Sequence, residues 1–284
     1  MLCKSYAKIN LSLQNKGKRE DGYHELDMIN LPLELHDVVE FDYSPLYRET
    51  YITCDDVGLL GTHSNICKKA VDAMRKDHPF KEHFTIHIHK EIPFAAGLGG
   101  GSSNAAVTLL FLNKFCKLNL PLDELCRIGA TIGSDVPYFL TNKPARVRGL
   151  GEIVTPISAP ISYHCLLIKP EQGLSTSDVY AICDKFEHVG IDNDKVELGI
   201  RNEDEELISK SMGNDLLRPA NSLCPEVGSI LSSLQLMGFP ISGMSGSGST
   251  VFALSTDAKK IKEAALKYEK KGYEVIVTKT HTSR

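Results

Sequence analysis

The sequence predicts an α+β protein, built as two packed lobes or one large domain. Three observations carry that expectation. The chain has 284 residues, more than one small core requires. Its 42% apolar and 24% charged residues are ordinary for a globular protein. Segments of strand period and of helix period alternate along it, with no internal repeat or low-complexity stretch.

The elements follow in order. From Ser5 to Gln14 the pattern alternates, with Ile9, Leu11 and Leu13 on one face and Lys8, Asn10 and Ser12 on the other, which predicts a strand with one buried side. "NKGKREDGYHE" reads as a polar turn. Strands are expected near 26–33, 37–43 and 84–90. Between them "SNICKKAVDAMRK" has helical spacing at Ile66, Ala70, Val71 and Met74. A second helix is expected from Ser103 to Cys116, with Ala106, Leu109, Leu110 and Asn113 along one face. Pro121, Asp123 and Glu124 open a third, which stops near 129–133. The segment 144–170 reads as extended strands with Gly149 and Gly151 between them, and a lobe boundary falls in 150–165, taken as 1–155 and 156–284. Residues 197–209 are acidic and suit a solvated helix face. Pro225 to Met237 is an amphipathic helix closed by Gly238. The loop "GMSGSGST", a strand "VFAL", a lysine-rich helix over 257–271 and a final strand "YEVIVT" complete the chain.

Composition removes several function classes. A net charge of −4 gives no basic field for nucleic acid or an anionic membrane. No run reaches the roughly 18 apolar residues of a membrane span, and "MLCKSYAKIN" has no signal-peptide core, so a cytoplasmic protein is expected. Eight cysteines without a C-x-x-C pair argue against a zinc ribbon and for buried, reduced thiols.

The stretch Pro93, Phe94, Ala95, Ala96, Gly97, Leu98, Gly99, Gly100, Gly101, Ser102, Ser103 carries no charge and four glycines, and no acid occurs between Glu91 and Asp123. A helix N-terminus exposes unpaired N–H groups that an acid usually answers. A bare one is a seat for an anion, phosphate above all; the alternative is a tight turn packed closely. A Walker A loop is excluded because no lysine follows the glycines, and a Rossmann fingerprint fits only if Ser102 replaces its third glycine. "GMSGSGST" misses the nucleophile elbow, since Ser247 stands where its last glycine belongs, and fits a second backbone loop lining a cleft.

Phosphoryl transfer needs a base for the acceptor hydroxyl and a cation near the reacting oxygens. Lys8 suits the cation, or is an exposed strand lysine. Asp135, just before Val136-Pro137, suits the base, or is a helix N-cap. Tyr23 and His24 can stack on and hydrogen-bond a flat ring, or are packing details of a loop. His87 and His89 alternate on a strand and are expected to face solvent without binding a metal.

Taken together, the first strand, "PFAAGLGGGSSNAA" and "GMSGSGST" resemble the three motifs of the GHMP small-molecule kinases. "SYAKINLSL", "KREDGYHEL", "GSDVPYFL" and "GLGE" narrow the likeness to the branch that phosphorylates a cytidyl diphospho-sugar alcohol on the non-mevalonate route to isoprenoid precursors. The resemblance covers nearly the whole chain, with one departure: Tyr6 stands where the branch often has proline, which touches strand entry. It implies an N-terminal lobe like ribosomal protein S5 domain 2 and a ferredoxin-like C-terminal lobe, with the site between them. It implies ATP and Mg²⁺, with no carboxylate cluster dedicated to the metal. Lys8 and Asp135 match the catalytic pair, residues 93–103 the ATP loop with Ser102 and Ser103 near phosphates and metal, and Asn10 a polar substrate contact. Tyr23 and His24 match the cytosine pocket, with Tyr180 as a second stacking face. A small-molecule partner and a monomer or weak homodimer are expected. Another GHMP enzyme of the homoserine or mevalonate kinase type, and a non-catalytic nucleotide-binding module, stay open as alternatives.

Overall fold

The structure, a computed structural model, describes residues 1–55, 65–160 and 162–281. Ser64, at the head of the first predicted helix, and Ile161, within the predicted strand region, lie outside them.

The N-terminal part runs β1 (Leu2–Lys18), β2 (His24–Tyr43), β3 (Tyr51–Cys54), α1 (Ile66–Asp77), β4 (Phe84–His89), α2 (Gly100–Phe115), α3 (Leu122–Ile132), α4 (Val136–Thr141), β5 (Ala145–Gly149) and β6 (Ile153–Pro156). Its six strands form one sheet in which β2 is the spine. The strand pairs β1 along one edge, and β5 and β4 along the other; β3 joins β4 in parallel and β6 joins β5. The C-terminal part runs β7 (His164–Lys169), α5 (Thr176–Cys183), α6 (Asn193–Asn202), α7 (Glu205–Ser211), α8 (Leu217–Leu223), α9 (Pro225–Leu236), β8 (Ser242–Met244), β9 (Val251–Ser255), α10 (Ala258–Glu269) and β10 (Glu274–Lys279). Its sheet order is β10-β7-β9-β8, all antiparallel, which with α9 and α10 is the ferredoxin-like β-α-β-β-α-β arrangement expected. The α+β class holds. No helix among the described residues is long and apolar enough to cross a membrane.

Local chemistry explains the helices. Asn65 caps α1 by accepting from the Cys67 N–H at 2.9 Å, and Cys67, Ala70, Val71 and Met74 form its buried stripe. Asp257 caps α10 in the same way, ahead of buried Ile261, Ala264, Ala265 and Tyr268. Pro225 opens α9, and Gly238, at φ +80°, follows its C-cap. Burial pushes the Cys67 thiol up to about 12 and raises Cys165 further, so both are inert core thiols.

Four expectations need correction. β1 is buried on both faces: Ile9 and Leu11 are 0% and 2% exposed, and Lys8, Asn10 and Ser12 are 3%, 1% and 0%. The reason is its position. Ile9 and Leu11, with Ile29 and Leu31 of β2, pack on Cys165, Leu167, Phe252 and Leu254 of the second sheet, while the polar face lies toward the helices. The strands at 26–33 and 37–43 are one strand, β2, bent by register shifts against β1 rather than broken, and the turn before it shrinks to Arg19–Tyr23. α2 begins at Gly100, and Leu110 is 39% exposed; burial spreads over Ala105, Ala106, Thr108, Leu109, Phe111 and Leu112, because the helix is packed on more than one side. The acidic stretch 197–209 spans two short helices, α6 and α7, which bury Val196, Ile200 and Ile208. Tyr6, the departure from the branch pattern, lies within β1 and stacks on His281 at 4.5 Å, tying the end of the chain to the first strand.

Beneath α2, Phe111 stacks on Phe41 at 3.9 Å and meets Phe84 edge-on at 5.2 Å. Phe84→Ala is expected to cost about 3–5 kcal/mol, read as a lower urea midpoint; an unchanged midpoint would contradict the packing described.

Candidate active site

Three of the four loop glycines answer to packing; at Gly100 a Cβ would lie 3.0 Å from Ile92 and 3.3 Å from Lys90 Nζ. Gly97 has φ +72°, and a Cβ there would lie 2.1 Å from the Ser245 carbonyl oxygen. Gly99 has φ +73°, and its Cβ would lie 2.6 Å from the Phe139 ring. The loop therefore interlocks with the second glycine loop, where the Ser245 hydroxyl donates to the Gly97 carbonyl at 2.8 Å. Gly101 differs: a Cβ would meet only Ile66 at 3.8 Å, an ordinary contact. What the bare backbone does there is uncover N–H groups. α2 starts with no side-chain cap and no acid in its first turn, so its unpaired donors and positive dipole end are left to the cavity.

A buried carboxylate holds this loop. Asp37 is 0% exposed and accepts from the N–H groups of Glu91 and Ile92 at 2.9 and 2.8 Å, from Lys90 Nζ at 2.5 Å and from Asn104 Nδ2 at 3.1 Å. It ties the entry of the loop to the second turn of α2. Asn104 Oδ1 accepts in turn from the Ser5 hydroxyl at 2.6 Å, and the Lys8 N–H donates to the Leu98 carbonyl at 3.0 Å.

Lys8 sits where the β1–β2 register shifts between Tyr6 and Lys8 and again between Asn10 and Ser12. Such irregularities re-aim side chains beside functional sites. Its Nζ donates to Asn10 Oδ1 at 2.6 Å and stands 3.5 Å from Asp135 Oδ2. Asn10 is oriented for this because its Nδ2 donates to Asn30 Oδ1 at 2.8 Å. Asp135 precedes α4 with φ −83° and ψ −10° and makes no side-chain cap bond. A capping side chain needs an extended backbone at that position, so the capping alternative is not realised and the carboxylate faces Lys8. Burial and the Asp135 charge hold the Tyr138 phenol well above its ordinary value, so it stays protonated beside the pair.

Lys8, Asn10, Asp135, every residue from Pro93 to Ser102, and Tyr180 line one cavity of about 790 Å³. Ser103 is 2% exposed within α2 and is not on that wall. His24 is buried just behind it: its ring lies 5.2 Å from Tyr180, and its Nε2 is 2.8 Å from Asp184 Oδ1. Tyr23 is 66% exposed at the hairpin tip and is not on the wall either. The hydrogen bond from His24 holds the Asp184 carboxyl below its usual range.

Several wall or support residues had no signal in the sequence. Thr176 Oγ1 lies 2.8 Å from Ser247 Oγ, and both face the cavity, as does Lys90. Asp37 stands in a strand like any surface acid, and only the tertiary fold turns it inward. For a hard divalent ion, the Ser102 hydroxyl and the Asp135 carboxylate are oxygens on the wall, a donor set of the kind that suits Mg²⁺ shared with phosphate.

Removing the Asp37 carboxylate would leave the N–H groups of Glu91 and Ile92 without their acceptor and the part-buried Lys90 ammonium without its counter-ion. Asp37→Ala is therefore expected to cost about 3–5 kcal/mol, measured by urea unfolding; wild-type stability would contradict the pinning role.

Comparison with known proteins bears on this geometry. Residues 65–143 match the GHMP kinases N terminal domain, and residues 197–274 match GHMP kinases C terminal. The chain is 40% identical over 261 residues to the 4-diphosphocytidyl-2-C-methyl-D-erythritol kinase of Geobacillus sp. (strain WCH70), covering 89% of this chain and 88% of that one. It is 35% identical over 288 residues to the protein of the same name from Clostridium perfringens (strain 13 / Type A), covering 100% and 99%. A crystal structure of 4-(cytidine 5'-diphospho)-2C-methyl-D-erythritol kinase superposes with a TM-score of 0.81 at 27% identity, covering 99% of this chain and 100% of that one.

Proposed function

The chain belongs to the GHMP kinases and, within them, to the 4-diphosphocytidyl-2-C-methyl-D-erythritol kinases, and from that membership we propose how its site works. It phosphorylates the 2-hydroxyl of 4-diphosphocytidyl-2-C-methyl-D-erythritol with ATP, a step of the non-mevalonate route to isoprenoid precursors. The observation that carries the mechanism is the Lys8–Asp135 pair, 3.5 Å apart, on the wall of the same cavity as the bare N-terminus of α2.

The N–H groups at the start of α2 bind the phosphate oxygens of ATP, and the glycines let them approach without a side chain between. Asp135 accepts the proton of the 2-hydroxyl as that oxygen attacks phosphorus. Lys8, 3.5 Å from Asp135, stabilises the charge growing on the attacking oxygen. Asn10, on the cavity wall beside the substrate, holds the Lys8 ammonium in place. Ser102 and Asp135 are the residues that would hold Mg²⁺, which would supply neutralisation of the triphosphate charge. Tyr23 and His24 receive the cytosine, Tyr23 from the exposed hairpin tip and His24 with its ring fixed by Asp184, and Tyr180 is the second stacking face.

We divide the chain into residues 1–155, which carry the ATP loop and the catalytic pair, and 156–284, which carry Tyr180 and the 243–250 loop. Every residue of this scheme comes from one chain, which suits a monomer or weak homodimer. A cytoplasmic location suits its use of ATP. A homoserine or mevalonate kinase would have no use for the cytosine end, and a mere nucleotide binder none for the Lys8–Asp135 pair.

Asp135→Asn is expected to keep ATP affinity while lowering kcat by about 10²–10⁴-fold; full turnover would remove the general-base role. Gly101→Asp, at a position where a side chain meets only an ordinary contact, puts a carboxylate into the first turn of α2, and calorimetry should find ATP binding sharply weakened, an unchanged affinity refuting the loop assignment. Tyr180→Ala should raise KM for the cytidyl substrate far more than KM for ATP, and equal effects on both would move Tyr180 out of the base site.

A further inference from the structure

Away from the cavity just described, three side chains on neighbouring strands converge in a way that phosphoryl transfer does not use. His87 and His89 alternate with buried Ile86 and Ile88 on β4, so both rings stand on the outer face of the strand. Their ring centroids are 4.4 Å apart at 72°. Asp55 follows β3 and prolongs the pairing of β3 with β4, its N–H donating to the Ile88 carbonyl at 3.2 Å. That backbone tie sets its carboxylate between the two rings, with Oδ1 2.8 Å from His87 Nε2 and Oδ2 3.4 Å from His89 Nδ1. One ligand atom from each residue lies within 4.8 Å of the other two.

We propose that Asp55, His87 and His89 form a binding site for one divalent transition-metal ion of the zinc class, distinct from the Mg²⁺ of phosphoryl transfer. The remaining ring nitrogens are what separate this cluster from a chance contact. His87 Nδ1 lies 2.7 Å from Thr53 Oγ1, and His89 Nε2 lies 3.6 Å from Glu40 Oε2. His87 thus has a hydrogen-bonding oxygen on its far side, the support that metal-binding histidines require, while the Glu40 carboxylate stands on the far side of His89 beyond hydrogen-bond length. A tetrahedral ion with bonds of about 2.0–2.2 Å spaces its ligand atoms at about 3.3–3.5 Å. The 2.8 and 3.4 Å distances run to different oxygens of Asp55, so binding through one of them takes a rotation of that carboxylate, with one ligand atom of each residue already within 4.8 Å of the others.

Ligand chemistry selects the ion. Two imidazoles and one carboxylate suit Zn²⁺ and its neighbours, whereas Mg²⁺ prefers oxygen and keeps its water. The side chains of His87, His89 and Asp55 are 29%, 44% and 51% exposed, which leaves a fourth position open to water. The ion would staple β3 to β4.

The test is calorimetric titration of the full chain with ZnCl₂ in buffer holding excess Mg²⁺. One equivalent per chain is expected. His87→Gln and His89→Gln should each weaken it by 100-fold or more, Thr53→Val by about 10-fold, and His24→Gln, in the separate His24–Cys183–Asp184 cluster, should leave it unchanged. Co²⁺ bound to the unaltered chain provides a reading that depends on no variant: intense four-coordinate absorption bands are expected. Absence of a stoichiometric Zn²⁺ site, survival of binding in both His87→Gln and His89→Gln, loss of it in His24→Gln, or a weak six-coordinate Co²⁺ spectrum would each overturn the proposal.

Discussion

The arrangement of this site depends on one buried carboxylate. A glycine loop aimed at an anion is a weak structural element: it has little side chain to pack, and its helix end carries uncancelled positive potential. Asp37 compensates for both defects from below, away from the cavity. It accepts from Glu91, Ile92, Lys90 and Asn104, so the loop entry and α2 are fixed to the same two oxygens while the outer side of the helix N-terminus stays free of acid. An acid placed in the first turn would hold the helix equally well and would occupy the place of phosphate.

A second constraint follows from β1. Its Ile9 and Leu11 are sealed against the second sheet, while Lys8 and Asn10 face the loop, Asn30 and Asp135. Lys8 then has few conformations: its N–H is tied to Leu98, its ammonium to Asn10, and the remaining direction leads to Asp135. Preorganisation of this kind is how a long, flexible lysine becomes a positioned charge. The interlock of Gly97 with Ser245 extends the same rigidity to the 243–250 loop.

Much of this was legible in the sequence, and the limits of legibility are physical. Periodicity placed α1, α3, α9 and α10, because each buries one continuous stripe. It failed for β1 and α2, where burial on more than one side erases the alternation it relies on. It passed over β3, α5 and α8, short elements held by their neighbours rather than by their own pattern. The glycine run and the missing acids announced an anion seat, but Lys8 and Asp135 looked like a strand lysine and a helix cap until the family resemblance joined them. Asp37 and Thr176 carried no signal, since their roles exist only through partners distant in the chain. The four glycines had looked alike; the fold separates Gly97 and Gly99, required by packing and positive φ, from Gly101, which packing does not require.

The central claim is a geometric one: the acceptor hydroxyl lies between Asp135 and a phosphate seated on α2. A crystal structure of the ternary complex with the cytidyl substrate and a non-hydrolysable ATP analogue tests it most directly. The account predicts the terminal phosphate over the N–H groups of Gly100 to Ser102, and the 2-hydroxyl within about 2.6–3.2 Å of an Asp135 oxygen. A triphosphate bound elsewhere, or a hydroxyl out of reach of Asp135 with both ligands in place, would contradict it.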